Sequence, residues 1–286
     1  MSADTNAPIA TETPPCAHGC SLQRMVSRRS YYQDSFVTLY HGDCRELVPE
    51  LLDYALHSIV TDPPYGVTDH EWDEVVPPEE WMRTKCAVVT ASEPYATQLI
   101  NAAPLRFAFD CVWVKNCVSN AMNAAKMPMR RHERVLVFGD YEWTPQKRRR
   151  STEEMARLNQ KQRETMQWAT PDTVLEYDSV NCRHGERTEH PSQKPVPLME
   201  YLIKSFTAGV ICDPFAGSGS TLVAAKRIGR HVIGFERNER FCELAARRCG
   251  QELALCEAAN TCVSDGPADA HKSLSSADGP FAARNC

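Results

Sequence analysis

Val210-Ile211-Cys212-Asp213-Pro214-Phe215-Ala216-Gly217-Ser218-Gly219-Ser220-Thr221 passes from a short apolar run into a glycine-spaced turn and then into a helical pattern reaching Ile228. A brief β-branched run closed by Asp-Pro predicts a buried strand. Two glycines one residue apart let the backbone turn sharply and let a ligand approach closely. Downstream, His231-Val232-Ile233-Gly234-Phe235 predicts a second strand and Glu239 to Cys249 a helix. Upstream, Leu198, Met199, Leu202, Ile203 and Phe206 fall at helical spacing. Strand–helix–strand units of this length imply an α/β fold, a parallel sheet with helices on both faces.

The same alternation extends toward the N-terminus. Strands are expected at Phe36 to Tyr40, Ser58 to Thr61, Cys86 to Thr90, Phe107 to Val114 and Arg134 to Phe138. A short helical or turn segment is expected over Leu47 to Leu56, and a helix over Tyr95 to Ala102. Residues 140–190 are polar and basic, with one helix predicted from Thr152 to Gln167. Residues 1–34 are rich in Pro, Thr, Ala and Ser without periodicity, and those after 250 are small and polar. Both are expected to be disordered tails around a domain at 35–250. Cys16-Ala17-His18-Gly19-Cys20 has no second ligand cluster near it, so no metal site is expected.

The chain has 13 cysteines, an odd and scattered set, and Cys44, Cys86, Cys111, Cys117, Cys212, Cys242 and Cys249 lie mostly in apolar or periodic segments. That suits small buried hydrophobes in a reducing cytoplasm rather than a disulfide framework. No apolar run is long enough to span a membrane. Net charge is −5, yet residues 126–167 carry eleven Lys/Arg against six Asp/Glu, densest at Lys147-Arg148-Arg149-Arg150. Such a stretch is either a solvated basic face or a nucleic-acid contact.

Two strand ends carry chemistry. The helix N-terminus at Gly217, Gly219, Ser220 and Thr221 suits the carboxylate of an amino-acid-like ligand. Glu236 ends the next strand, where a carboxylate can accept hydrogen bonds from two ribose hydroxyls. Together they point to an adenosine-type cofactor. Asp62-Pro63-Pro64-Tyr65 follows the Ser58–Thr61 strand, and its prolines fix φ and remove two backbone donors. What remains is a rigid loop of acceptors followed by an aromatic ring. Acceptors on both N–H bonds of an exocyclic base amine would localise its delocalised lone pair for attack on a sulfonium methyl, with Tyr65 stacking on a base flipped from the duplex.

These motifs, in this order, resemble the amino-DNA methyltransferases of the N6-adenine/N4-cytosine type in the permuted, β-class arrangement. The resemblance rests on Leu39-Tyr40-His41-Gly42-Asp43-Cys44, Ile59 to Tyr65, His190-Pro191-Ser192-Gln193-Lys194-Pro195, Asp213 to Thr221 and Glu236, and spans about residues 36–250. It implies a Rossmann-like S-adenosylmethionine-dependent sheet in circularly permuted order, with a target-recognition region inserted at about 116–190. It also implies that Asp62, Pro63, Pro64 and Tyr65 are catalytic. Asp43 would bond the cofactor's adenine. Ser192 and Lys194 would lie at its methionine end, with Asp213, Phe215, Gly217, Gly219, Ser220, Thr221 and Glu236 completing the cofactor site. Arg130, Arg131 and Lys147 to Arg150 become expected contacts to double-stranded DNA. Trp72-Asp73, Trp113-x-Lys115 and His132-Glu133 also match, as shapers of the pocket or the DNA surface. Arg237-Asn238 departs from the usual apolar residue and Asp after the acid.

An Asp at the first position of the catalytic loop leans toward N6 of adenine. N4 of cytosine is the alternative, and a non-catalytic DNA-binding relic a more distant one. A homodimer and a cognate restriction nuclease stay open, as does an orphan or phage-type enzyme.

Overall fold

The structure, a computed structural model, describes residues 29–49, 56–68, 73–119, 124–180 and 187–261. The chain divides into a body reaching Glu252 and a separate C-terminal unit, Leu253–Cys286. In chain order the strands are β1 (Tyr32–Gln33), β2 (Val37–His41), β3 (Leu56–Thr61), β4 (Cys86–Ala91), β5 (Phe107–Ser119), β6 (Arg130–Gly139), β7 (Arg148–Arg149), β8 (Trp168–Ala169), β9 (Val174–Glu176), β10 (Val210–Asp213) and β11 (Val232–Glu236). The helices are α1 (Cys44–Leu47), α2 (Pro78–Trp81), α3 (Tyr95–Ala102), α4 (Thr152–Ala156), α5 (Gln160–Thr165), α6 (Val196–Phe206), α7 (Ser220–Arg227) and α8 (Glu239–Thr261).

Nine described strands form one sheet in the order β1-β2-β11-β10-β3-β4-β6-β5-β9. Its centre, β2-β11-β10-β3-β4, is parallel throughout. From β10 the chain steps through α7 to β11 on one side, whereas from β3 it steps to β4 on the other. The strand order therefore reverses between β10 and β3, which opens a crevice at their carboxyl ends.

Period-2 alternation divides the core into two layers. Val37, Val60, Val88, Val135, Ile211 and Val232 face α6, α7 and α8. Ile59, Ala87, Val89, Leu136, Cys212 and Ile233 face α1, α2 and α3. Trp81 and Trp113 are fully buried, one in each layer. Cys44, Cys86, Cys111, Cys212, Cys242 and Cys249 are buried free thiols, as expected of small hydrophobes, whereas Cys117 is half-buried and disulfide-bonded.

Several sequence expectations need correction. The sheet is not wholly parallel: β6 runs antiparallel to both β4 and β5, and β1 to β2. The β5–β6 connection is too short for the crossover a parallel pair needs. Both of these strands are longer than their apolar cores, because ladder pairing continues through polar residues to Ser119 and Arg130. The helix expected from Thr152 to Gln167 is two helices. Asn159 caps the second with a reciprocal bond to Gln162, a start signal inside the expected run. Of the segment expected over Leu47 to Leu56, residues 50–55 lie outside the described residues and Leu56 opens β3; the helix there, α1, runs earlier, from Cys44 to Leu47, with Asp43 accepting from Arg45 N as its N-cap. Order begins before residue 35, since β1 pairs with β2 and Asp34 accepts from buried Lys226 at 2.5 Å. Order also continues past 250, as α8 runs to Thr261. The Cys16–Cys20 segment and Trp72 lie outside the described residues.

Gly219 shows how tightly the glycine turn is set. Its φ is +78°, and an added Cβ would sit 2.8 Å from Ala245 Cβ on α8. Gly219→Ala should lower stability by about 1–3 kcal/mol from overpacking and backbone strain. A urea midpoint equal to that of the parent chain would contradict this packing.

Candidate active site

Adjacent pairing of β3 and β10 brings together two loops that are 152 positions apart in the chain. At the strand ends Thr61 Oγ1 donates to Asp213 Oδ1 at 2.6 Å, within the buried interior. Phe215 N donates to the same oxygen at 3.1 Å, and the Thr221 side chain also bonds Asp213. Burial still dominates and pushes the Asp213 carboxyl up to about 6.

Asp62 starts the loop after β3. Its Oδ1 accepts from Thr90 Oγ1 at 2.5 Å and from the Tyr65 hydroxyl at 2.6 Å. Its Oδ2 accepts from Lys194 Nζ at 2.5 Å. The Tyr65 ring stacks on Tyr95 with centroids 5.3 Å apart, and burial, then the Asp62 charge, raise its phenol pKa. Beyond Tyr65 the backbone is organised by Asp73. Oδ1 accepts from Tyr65 N and Gly66 N, and Oδ2 accepts from Val67 N, Thr68 N and the Thr68 hydroxyl, all at 2.7–3.0 Å. Burial works against the charged form, but these donors outweigh it and hold the Asp73 carboxyl below its usual range.

Lys194 and Glu133 continue the polar chain. Lys194 is buried and lies 3.5 Å from Glu133 Oε2, while Glu133 Oε1 is ion-paired with Lys115. Burial alone would lower the lysine pKa, but the Asp62 and Glu133 charges overcome it and raise it. Burial would likewise raise Glu133, but the Lys194 and Lys115 charges hold it down. Lys115 comes from β5 and Glu133 from β6, so the long antiparallel ribbon is linked to the catalytic loop through Lys194.

On the other wall, Glu236 Oε2 accepts from Gly217 N and Oε1 from Asn238 N, each at 2.8 Å. Burial raises the Glu236 pKa. Arg248 on α8 donates to Ser218 O at 2.5 Å and to the Ser218 and Ser220 hydroxyls, and Ser220 Oγ donates to the Lys194 carbonyl. His190 packs on Phe241 with centroids 4.5 Å apart, and burial pushes its imidazole down to about 4, so it is neutral near pH 7. Asp43 caps α1 and pairs with Arg45, which lowers its pKa.

These walls enclose a cleft of about 660 Å³. Apart from Gly219, every residue singled out as catalytic or cofactor-binding lines it: Asp43, Asp62, Pro63, Pro64, Tyr65, Ser192, Lys194, Asp213, Phe215, Gly217, Ser220, Thr221 and Glu236. Gly219 packs against α8 beneath the turn. The basic residues separate into two groups. Arg130 lines the cleft, and Arg131 follows it on β6 with its guanidinium donating to Lys115 O. The segment entering Lys147–Arg150 instead runs along the last turn of α6, through Thr144 N to Ser205 O and Gln146 Nε2 to Lys204 O. That places the start of the basic run beside the C-terminal turn of α6. Arg148 forks onto Glu154, and Arg150 donates to Met166 O, so these two arginines build the α4–α5 insert. Lys147 and Arg149 are exposed.

Thr61, Thr90, Tyr95 and Arg248 were not singled out from sequence. The threonines left a signal, a hydroxyl inside an otherwise apolar buried strand, where a polar group needs a partner. Arg248 left none, because a helical arginine is ordinarily solvated.

Two stability outcomes follow from this geometry. Asp213 has a folded pKa above its unfolded value, so its contribution is complete below about pH 4 and is lost as pH rises through about 6. Asp213→Asn should remove that slope, improving on the parent chain by on the order of 2–3 kcal/mol between pH 4 and pH 7, whatever its constant offset. Parallel stability–pH curves would refute the assignment. Asp73→Ala should cost about 2–4 kcal/mol in urea unfolding. Asp73→Asn should not restore the parent value, because its amide nitrogen would face N–H donors.

Comparison with known proteins gives a consistent result. A family model described as DNA methylase, N6/N4 type, matches residues 100–247. The chain is 30% identical over 222 residues to the putative methylase YubD of Escherichia coli K12, covering 74% of this chain and 87% of that one. Among solved structures, the M1.HpyAVI–SAM complex aligns with a TM-score of 0.51 at 23% identity, covering 74% of this chain and 98% of that one. The cytosine-N4-specific PvuII DNA methyltransferase aligns with a TM-score of 0.53 at 18% identity, covering 78% and 89%. With its two loops at one switch point and a family match across half its length, the chain belongs to the N6/N4 family of S-adenosylmethionine-dependent DNA methyltransferases.

Proposed function

We propose that this chain methylates the N6 amino group of adenine at a defined site in double-stranded DNA, taking the base out of the stack to do so. The observation that carries the reading is the Asp62 carboxylate, which lines the same cleft as the glycine turn and Glu236. A carboxylate offers about four lone-pair positions. Thr90, Tyr65 and Lys194 occupy three of them on Asp62, leaving one for an incoming amine. The second amine proton meets the Pro63 carbonyl, and neither Pro63 nor Pro64 carries a competing N–H. The nitrogen, its lone pair localised, would attack the methyl carbon as the carbon–sulfur bond breaks with its electron pair passing to sulfur, so that S-adenosylhomocysteine departs; the surplus amine proton would leave along the hydrogen bond to Asp62. Tyr65, already stacked on Tyr95, supplies a ring surface for the flipped base.

The cleft suits the cofactor. Asp43 and Glu236 supply carboxylates for the donors of an adenosine, and Phe215 supplies an apolar wall. Gly217 lines the cleft without a side chain and packs so near His190 that a Cβ would sit 3.1 Å from its Nε2. Ser192, Ser220 and Thr221 would lie near the methionine end. S-adenosylmethionine supplies the methyl group on a cationic sulfur, so orientation and electrostatics remain the protein's tasks. Arg130 and Arg131, at the cleft edge, would hold backbone phosphates. Lys147 and Arg149 are exposed and lie outside the cleft lining.

N4-cytosine methylation is the second reading, since a solved enzyme of the same fold is named as cytosine-N4-specific. The intact Asp62, Tyr65 and glycine turn speak against a DNA-binding relic. A homodimer and a partner nuclease are not needed by this geometry.

Duplex DNA of mixed sequence, incubated with the protein and labelled S-adenosylmethionine and then digested to nucleosides, should yield label in N6-methyladenosine. Label in N4-methylcytosine would replace the adenine reading. Asp62→Ala should slow transfer by on the order of 10²–10³-fold while S-adenosylmethionine affinity changes little. Loss of cofactor affinity in that variant would contradict the division of roles.

A further inference from the structure

Lys115, Glu133, Lys194 and Asp62 form an alternating chain of charges whose formal sum is zero. It starts on the β5–β6 ribbon and ends on the catalytic loop. Lys194 sits at the junction. Its ammonium donates to Asp62 Oδ2 at 2.5 Å, faces Glu133 Oε2 at 3.5 Å, and lies 5.6 Å from the centre of the Tyr65 ring. Its backbone is fixed as well, since Ser220 of α7 donates to the Lys194 carbonyl at 2.8 Å. The side chain is only 7% exposed, so this is a buried, pre-set donor rather than a mobile surface lysine.

We propose that Lys194 is a positioning residue for Asp62, held in place by Glu133 and Lys115, and that its main contribution is to the methyl-transfer step rather than to holding the cofactor. The proposal rests on the catalytic role proposed for Asp62.

The geometry supports this in two ways. With Oδ2 tied to Lys194 and Oδ1 tied to Thr90 and Tyr65, the carboxylate cannot rotate without breaking a bond on each oxygen. Its last lone-pair position is therefore aimed before the base arrives, the condition for electrostatic preorganisation. The second support is charge. A lone carboxylate beside half-buried Tyr65 and buried Tyr95 would be poorly solvated, and the lysine keeps it an anion able to accept from the amine. Glu133 prevents the reverse problem. Without it, the charges of Lys194 and Lys115 would be balanced by Asp62 alone.

The test compares the parent chain with Lys194→Met, Lys194→Arg and the double variant Lys194→Met/Glu133→Gln. Single-turnover methyl transfer at saturating S-adenosylmethionine and DNA is measured alongside the cofactor Kd from binding of labelled S-adenosylmethionine. Lys194→Met should lower the single-turnover rate by on the order of 10²-fold while Kd moves by less than about threefold. Lys194→Arg should regain at least about a tenth of the parent rate, because it keeps a cation against Asp62. The double variant removes one charge of each sign, so it guards against simple misfolding. It should bind cofactor normally and stay as slow as Lys194→Met. The inference is overturned if Lys194→Met weakens cofactor binding while leaving the saturated rate intact. It is also overturned if the double variant transfers methyl groups at the parent rate. An inactive parent chain on mixed-sequence DNA would instead overturn the proposed activity, and the inference with it.

Discussion

A buried hydrogen bond from Thr61 to Asp213 locks the two halves of this active site together where their strands end. It joins the ends of β3 and β10, the two parallel strands between which the sheet changes direction. On one side of it lies a loop of acceptors, on the other a glycine turn starting a helix. Each loop takes its direction from its own strand, so their separation is set by sheet geometry rather than by flexible linkers. Burial raises the Asp213 pKa, the nearby Asp62 charge adds to it, and the Thr61 bond offsets only part of the rise. A partner hydroxyl can satisfy a lone pair on Asp213 but cannot supply a counter-charge.

Where the site does need counter-charge, it is drawn from elements distant in sequence. Asp62 is met by Lys194 from the segment entering α6, and Lys194 by Glu133 from β6. Buried ion pairs are expensive to desolvate and contribute to stability only when the whole set is complete. Their presence here fits a site organised for electrostatic work. Asp73 follows the same logic with neutral donors, since it gathers four backbone N–H groups and one hydroxyl that would otherwise splay the loop.

The α/β character was legible because β10, α7 and β11 each declare themselves locally, through β-branched runs, glycine spacing and helical periodicity. The α3 boundaries matched the expectation, Tyr95–Ala102, for the same reason. What could not be read was adjacency. No local pattern reveals that β3 lies beside β10, or that β6 inserts between β4 and β5. Residues whose role depends on adjacency were therefore missed or left vague: Thr90 across from Asp62, Tyr95 under Tyr65, Glu133 beside Lys194. Lys147 to Arg150 illustrate the converse. Charge density marked them as a unit, but two of the arginines are consumed by Glu154 and Met166, and the run begins along the far end of α6.

The β5–β6 ribbon has an evolutionary implication. Its ladder carries Lys115 and Glu133 in the cleft wall and, a few residues farther on, Arg130 and Arg131 toward its tip. Side chains at the tip can be exchanged freely, whereas insertions or deletions upstream would shift the register and turn Glu133 away from Lys194. A lineage of such enzymes would thus be free to change which DNA it meets by point substitution at the tip, while indels are purged from the same ribbon. Variation in length would accumulate instead in the α4–α5 insert, which hangs from its own two-residue ladder, β7 with β8, and carries no part of the cleft.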